Sequence, residues 1–497
     1  MLVLQGRSRT PTATVVGSGP NGLAAAVVLA RAGWRVTVLE GAATWGGGLR
    51  TLPLIEDGTV HDVCSATHPL AVSSRFFREW GLESRVEMVH PATPFAHALD
   101  GGRFAVARSG LEATAVRLAE RSPADARAYL SLLAPLADRV DQMSELFTSR
   151  LRGLPPRADT AALVAALAPR VLARMPGLAS RFTGAEGPAL LAGNAAHAVR
   201  PLGGLAPAAV ALLLTATAHG RGWPVPRGGS GAIAAALVAD LQAHAGEVRT
   251  GQWVRDPADL PPSDAVLLDL DPRQVVHLVG HRMGGAAGRW YRSWARRYRF
   301  GPGACTVHYV TTGPIPWLDP EARTAGTVHV GGPLAEVAHA EATVAAGRHA
   351  RAPFTLVGQP TVADPTRSRR GHHVVWAYCH VPHGSPVDAS PAVTAQIERF
   401  APGFRDTVVG THVRTAAGLA EENPVHVGGD IAVGASSVLG IALRPVPRWD
   451  AYRTPAPGVY VCSSATPPGP GVHGMGGYWA ARAVLADAGT PSGSLAP

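Results

Sequence analysis

Two short apolar runs rich in β-branched residues, 13–16 and 35–39, flank a longer one, 23–32, that is almost pure Ala, Val and Leu. Four- or five-residue runs bounded by glycine predict buried parallel strands, and the ten-residue run predicts a buried helix. Gly17-Ser18-Gly19-Pro20-Asn21-Gly22 joins the first strand to the helix, Gly33 ends the helix, and Glu40 closes the second strand. Strand, G-x-G-x-x-G turn, helix, strand and terminal acid in this order predict a dinucleotide site. Gly17 permits the tight turn, Gly19 lets a diphosphate approach the backbone, and Gly22 lets helix and strand pack closely. The helix start offers unpaired N–H groups to the phosphates. Glu40 can accept hydrogen bonds from ribose hydroxyls and would repel a 2′-phosphate, which favours FAD or NAD over NADP.

The pattern then changes along the chain. Gly41 leads to Gly46-Gly47-Gly48, Arg50 and Thr51, a second glycine-rich turn with a cation suited to phosphate. His61, Asp62, Ser65 and His68 stand within eight residues, but their loose spacing does not predict a metal site. Residues 86–109 read as short strands with turns at His90-Pro91 and Asp100-Gly101-Gly102. From 111 to about 181 spaced charges on an Ala/Leu background predict amphipathic helices, broken at Pro155-Pro156 and Pro176-Gly177. Asn194 and His197 share a face of the next helix. A core pair is the plainer reading, and a polar floor to an apolar substrate pocket is the functional one. Gly228-Gly229-Ser230-Gly231 imitates the first glycine motif, but no convincing strand precedes it, so one dinucleotide domain is expected. Further strands are predicted at 265–272, 307–310, 327–330, 354–358 and 373–378, and 246–254 resembles a strand of the family named below. After the strand 459–461, Ser464 and a Gly-Pro-rich turn lead through His473 to Gly474, Met475, Gly476, Gly477 and Tyr478, where a last helix begins.

Composition narrows the chemistry. The chain has 497 residues, 46% hydrophobic and 16% charged, enough for two interleaved globular domains. There is no lysine, so all 45 basic residues are arginine and lysine Schiff-base chemistry is excluded. The net charge of +9 is scattered and accompanies no nucleic-acid motif. Nucleic acid is therefore not an expected partner, and at most peripheral contact with an anionic membrane is. Four separated cysteines and an N-terminus without signal-peptide shape point to the cytoplasm. The uncharged run 201–218 contains prolines and glycines and reads as a buried helix.

The stretch from Gly17 to Thr51, with the closing segment from Gly458 to Ala480, resembles FAD-dependent oxidoreductases of the phytoene-desaturase-like group. The resemblance implies an α/β fold: a Rossmann-type FAD-binding domain, glutathione-reductase- and amine-oxidase-like, interleaved with an α+β substrate domain of mixed sheet and helical cap. Its expected boundaries are 1–88, 222–285 and 415–497 for the FAD domain, and 89–221 and 286–414 for the substrate domain. It implies that residues 17–22 hold the diphosphate and Glu40 the adenosine ribose. Gly41, Gly46, Gly47, Gly48, Arg50 and Thr51 would line the flavin side, Val254 would contact adenine, and Ser464, Gly474, Met475 and Gly476 would face the flavin ring. His473 and His68 are the candidate acid/base groups, against a structural role for each. Asn194, His197 and Tyr478 are the candidate substrate-pocket residues. The implied activity is dehydrogenation of an apolar, conjugated or polycyclic small molecule. A flavin-dependent isomerase or reductive cyclase and a non-catalytic flavin-binding protein are the alternatives. Amine oxidation is disfavoured, because flavin amine oxidases typically keep a lysine near the flavin. The substrate and oligomeric state are left open.

Overall fold

The computed structural model describes residues 9–149, 158–369, 371–435, 444–491 and 493–496. A five-stranded parallel sheet has the order Val459–Val461, Ala265–Leu268, Thr12–Val16, Arg35–Leu39 and Glu247–Arg249. Alternation along these strands feeds two cores. Val15, Leu267 and Tyr460 face helices Pro20–Arg31, Gly231–Ala243 and Met475–Asp487. Val16, Leu268 and Val461 face helices Pro272–Val279 and Gly285–Arg296. Burial on both faces is why Ala265–Leu268 and Val459–Val461 are wholly buried and rich in Val and Leu, whereas the edge strand Glu247–Arg249 is largely exposed and charged.

The second sheet has seven strands, in the order Val408–Arg414, Gly303–Thr311, His373–Val381, Thr355–Gly358, Ala325–Val330, Thr93–Leu99 and Arg103–Ala107. Pairing is antiparallel except between Ala325–Val330 and Thr93–Leu99, so the sheet is mixed. One face is covered by helices that include Pro123–Ala137, Glu186–Ala196 and Leu205–Gly220.

Three details differ from expectation. The helix Ala158–Ala179 runs past Pro176-Gly177 and is divided at Arg174 (φ 57°, ψ 179°). Pro176 then falls in the first turn of a new helical segment, where its missing N–H costs nothing. The other expected break, Pro155-Pro156, lies outside the described residues. The helix Gly285–Arg296 packs Tyr291 and Ala295 on the parallel sheet, so the boundary expected at 285/286 falls after it. The expected strand 246–254 keeps sheet pairing only over Glu247–Arg249. Beyond it the chain bonds to the end of its neighbour through Gly251 N–H to Ala42 O (2.9 Å) and Gln252 N–H to Glu40 O (2.8 Å).

Candidate functional site: two joined cavities

The central strand Thr12–Val16 lies inside its sheet, and the glycine loop leaves from its carboxyl end, where open α/β sheets bind ligands. Gly17 has φ 97°, a left-handed conformation that favours glycine. A Cβ on Gly22 would lie 2.1 Å from Gly17 O, so this glycine is required by the packing of the turn itself. Glu40 braces the loop: one oxygen accepts from Ser18 N–H (3.0 Å), the other from Ala42 N–H (2.8 Å). Ser18 Oγ accepts from Gly46 N–H (3.1 Å), and a Cβ on Gly47 would lie 2.9 Å from Gly19 Cα. The second glycine turn is thus laid directly on the first.

These elements enclose a cavity of about 490 Å³. Of the expected residues, Gly17, Ser18, Gly19, Pro20, Asn21, Glu40, Gly41, Gly47, Gly48, Arg50, Val254 and Ser464 line it. Gly22, Gly46 and Thr51 stand behind the wall. Thr51 Oγ1 donates to Asp62 (2.7 Å) and accepts from Gly231 N–H (2.9 Å), tying the second turn to the helix Gly231–Ala243. Gly474, Met475 and Gly476, expected at a flavin ring, belong to neither cavity wall. Gly474 is pressed against Phe76, Gly476 against Cys462 O, and a Cβ on Gly477 would fall 1.8 Å from Asn21 O. These glycines let the helices Met475–Asp487 and Pro20–Arg31 touch.

Two groups in this wall were not expected. Asp269, just after the strand Ala265–Leu268, places Oδ2 3.0 Å from Gly22 N–H. Burial, with Glu40's charge adding, pushes its carboxyl up to about 7 against the pull of that N–H. The segment 421–426, from the end of the helix Ala416–Glu422 to His426, closes the cavity from the side of the second sheet. The turn signal Asn423-Pro424 was its only trace in the sequence.

A second cavity of about 390 Å³ shares Pro20, Gly48, His426, Ile431 and Ser464 with the first. Its walls are largely apolar, among them Leu70, Phe147, Leu213, Trp223, Leu356 and Trp376, with His68, His197, Thr327 and His473 as polar points. His68 Nε2 lies 2.7 Å from Ser230 Oγ, whose own proton goes to Ser65 O (2.6 Å). Nε2 therefore carries the imidazole proton and the buried Nδ1 is left without a partner. His473 uses both nitrogens: Nδ1 accepts from Met475 N–H (3.0 Å), and Nε2 donates to Gly469 O (3.2 Å). Burial pushes His68 and His473 down to about 4. In this arrangement both rings are neutral near pH 7 and serve as hydrogen-bonding groups of the wall.

The expected substrate residues separate. His197 reaches the wall of the second cavity and pairs with His329 (Nε2 to Nε2, 3.1 Å). Asn194 turns away from the cavity and donates to Thr215 Oγ1 on the neighbouring helix Leu205–Gly220 (2.8 Å). Tyr478 is packed against Phe76 and Trp479 and donates to Glu79 (3.2 Å), outside the cavity. The cluster around His61 also diverges. Asp62 binds Arg367 (2.6 Å) and accepts from Ser230 N–H (2.7 Å), while His61 turns to His308.

The family model for an NAD(P)-binding Rossmann-like domain matches residues 15–80. A rat pyridine nucleotide-disulfide oxidoreductase domain-containing protein is 35% identical over 140 residues, covering 26% of this chain and 24% of that protein. The chain thus spans about a quarter of the length of the curated relatives it matches. An oxidoreductase from Methanosarcina mazei superposes with a TM-score of 0.60 at 16% identity, over 96% of this chain and 100% of that one. A putrescine oxidase bound to putrescine superposes with a TM-score of 0.56 at 14% identity, over 97% of this chain and 100% of that one. The fold is α/β with a Rossmann-like nucleotide-binding domain, shared with these structures along nearly the whole chain.

Proposed function

We propose that this chain is an FAD-dependent oxidoreductase of the dehydrogenase or desaturase type, acting on an apolar, conjugated or polycyclic small molecule. One observation carries this reading: a glycine-lined cavity and an apolar chamber lie back to back, with Pro20, Gly48, His426, Ile431 and Ser464 lining both. The lining suits a dinucleotide: the helix start behind Gly19 brings no capping side chain of its own, and Arg50 supplies a cation for phosphate.

The start of the helix Pro20–Arg31 would receive the diphosphate, Glu40 the adenosine ribose and Val254 the adenine edge. Gly47, Gly48, Arg50 and Ser464 would flank the flavin at the common wall. When bound, FAD supplies hydride chemistry. The chamber's part is to desolvate an apolar molecule and hold it against that wall. Its volume lies near the lower end of the range for small-molecule sites, about 300–1,000 Å³. That favours a compact molecule over one that must lie wholly enclosed at great length. His68, His197 and Thr327 offer hydrogen bonds for one oxygen function. Val164 and Leu172, exposed on the helix Ala158–Ala179, suit contact with a membrane surface.

The test is anaerobic. Purified protein supplied with FAD should take it up and turn yellow, and a fitting substrate should bleach it without air, giving product two hydrogens lighter. Product of unchanged mass would move the reading to isomerisation. Protein that takes up no flavin would end it.

A further inference from the structure

The start of the helix Pro20–Arg31 is uncapped by its own residues: Gly19 occupies the N-cap and has no side chain to offer. A carboxylate from a distant strand supplies the cap. Asp269 Oδ2 accepts from Gly22 N–H at 3.0 Å, and a Cβ on Gly19 would lie 2.8 Å from the same oxygen. Gly17 is equally close, its virtual Cβ 3.1 Å from Asp269 Cβ. The carboxyl is therefore tucked inside the three-glycine turn and forms part of the cavity wall. It holds the kind of donor that a diphosphate oxygen seeks at a helix start.

We infer that Asp269 is a proton-carrying member of the diphosphate site, so that the cavity takes up a dinucleotide together with one proton that resides on Asp269. This rests on the nucleotide reading of the cavity. Two anions at one helix start repel, and the repulsion vanishes when the carboxyl is protonated and can donate to a phosphate oxygen. The carboxyl is already raised to about 7 without ligand, so the proton is cheaply held near neutrality. A neighbouring diphosphate raises it further. Affinity is accordingly full below about pH 7 and falls as pH rises through that value.

The charged and titratable groups around Asp269 are few. Glu40 approaches from the strand Arg35–Leu39, and Cys462, raised by burial, from beyond Val459–Val461. Arg50, Arg255, Glu421 and Glu422 line the rest of the cavity, with His426, held down to about 4, and His277. His277 is the competing explanation, since an imidazolium at that wall would also favour an anion at low pH.

The experiment measures FAD affinity of the full chain, freed of cofactor, from pH 6 to 9 for wild type, Asp269→Asn and His277→Gln. Asn keeps an acceptor for Gly22 N–H and cannot ionise. Wild type should be flat below about pH 7 and weaken about tenfold per unit above it. Asp269→Asn should be flat throughout and at least about tenfold tighter than wild type at pH 8.5. His277→Gln should keep the wild-type slope. Calorimetry of the wild type in two buffers of different ionisation enthalpy should show close to one proton taken up at pH 8.5 and almost none at pH 6. A flat wild-type profile, a slope surviving in Asp269→Asn, or a slope lost in His277→Gln overturns the inference and leaves the flavin reading standing. Failure of all three proteins to bind FAD at any pH overturns both.

Discussion

An imidazole in a protein must settle which nitrogen keeps its proton, and His473 shows how neighbours settle it. The Met475 amide takes the lone pair of Nδ1 and Gly469 O takes the proton of Nε2. His473→Ala strands a buried donor and a buried acceptor. It should cost about 1–3 kcal/mol of stability, measured by urea titration. With the ring held down to about 4, no ionisation of His473 should mark the pH profile of flavin reduction near neutrality. The place of His473 in a glycine-rich segment before the closing helix was legible from sequence. Its tautomer was not, because it follows from a turn held by the positive-φ glycines Gly471 and Gly474, the latter packed against Phe76 and Ala24. Asp269 was hidden for a related reason. Nothing near it in the chain announces a ligand group, and its hydrogen-bond partner lies 247 residues away.

At the scale of elements, the two glycine-rich ends meet as helices. Sequence placed the glycines of the closing helix correctly at its start, and a glycine there serves a ligand or a neighbouring backbone equally well. The structure gives them the backbone. Gly477→Ala would set a methyl 1.8 Å from Asn21 O and push the helix Met475–Asp487 off its partner. A loss of about 3 kcal/mol or more is expected, read as a lower melting temperature. Gly203→Ala, with nothing within 4 Å, should be nearly silent in the same assay. One arginine ties three distant segments of the chain together. Arg367 is fully buried between Asp62 (2.6 Å) and Asp364 (3.0 Å), and Asp364 also receives Gly228 N–H (2.6 Å). The segment Asp364-Pro365-Thr366-Arg367 carried no assignable chemistry as sequence, since Asp62, Pro226 and Gly228, which it binds, lie far from it along the chain. Arg367→Met leaves the buried Asp62 without its cation, while Asp364 keeps Arg227 at 3.6 Å, and should cost about 3–5 kcal/mol by denaturant unfolding.

For the whole molecule, the nucleotide half was legible because its signals are local: run length, glycine spacing and a terminal acid all fall within thirty residues. The other half was legible only as strands and helices. Its sheet joins strands in the order Val408–Arg414 to Arg103–Ala107 with no local motif to state the pairing, and the first of these strands was not expected at all. Histidine is where the global burial pattern becomes measurable. His61, His68, His97, His219, His426 and His473 are each held down to about 4 by burial, and His197 to about 3. In the unfolded chain these rings titrate near 6.5, so between pH 6.5 and 4 the unfolded state binds more protons than the folded one. The stability present above pH 6.5 is therefore lost as pH falls toward 4. Each ring is worth up to about 3 kcal/mol, and even part of their sum rivals a typical total of about 5–15 kcal/mol. Asp269, Asp271 and Asp430 act with the opposite sign, their carboxyls raised by burial and penalising the fold as pH climbs, but they are three groups against seven. Thermal unfolding of the cofactor-free protein should show a steep fall in melting temperature between pH 6.5 and 4, with cooperative unfolding before pH 4 is reached. A melting temperature that stays level across that interval would mean these imidazoles accept protons inside the fold, and that its interior is wetter than the packing described above.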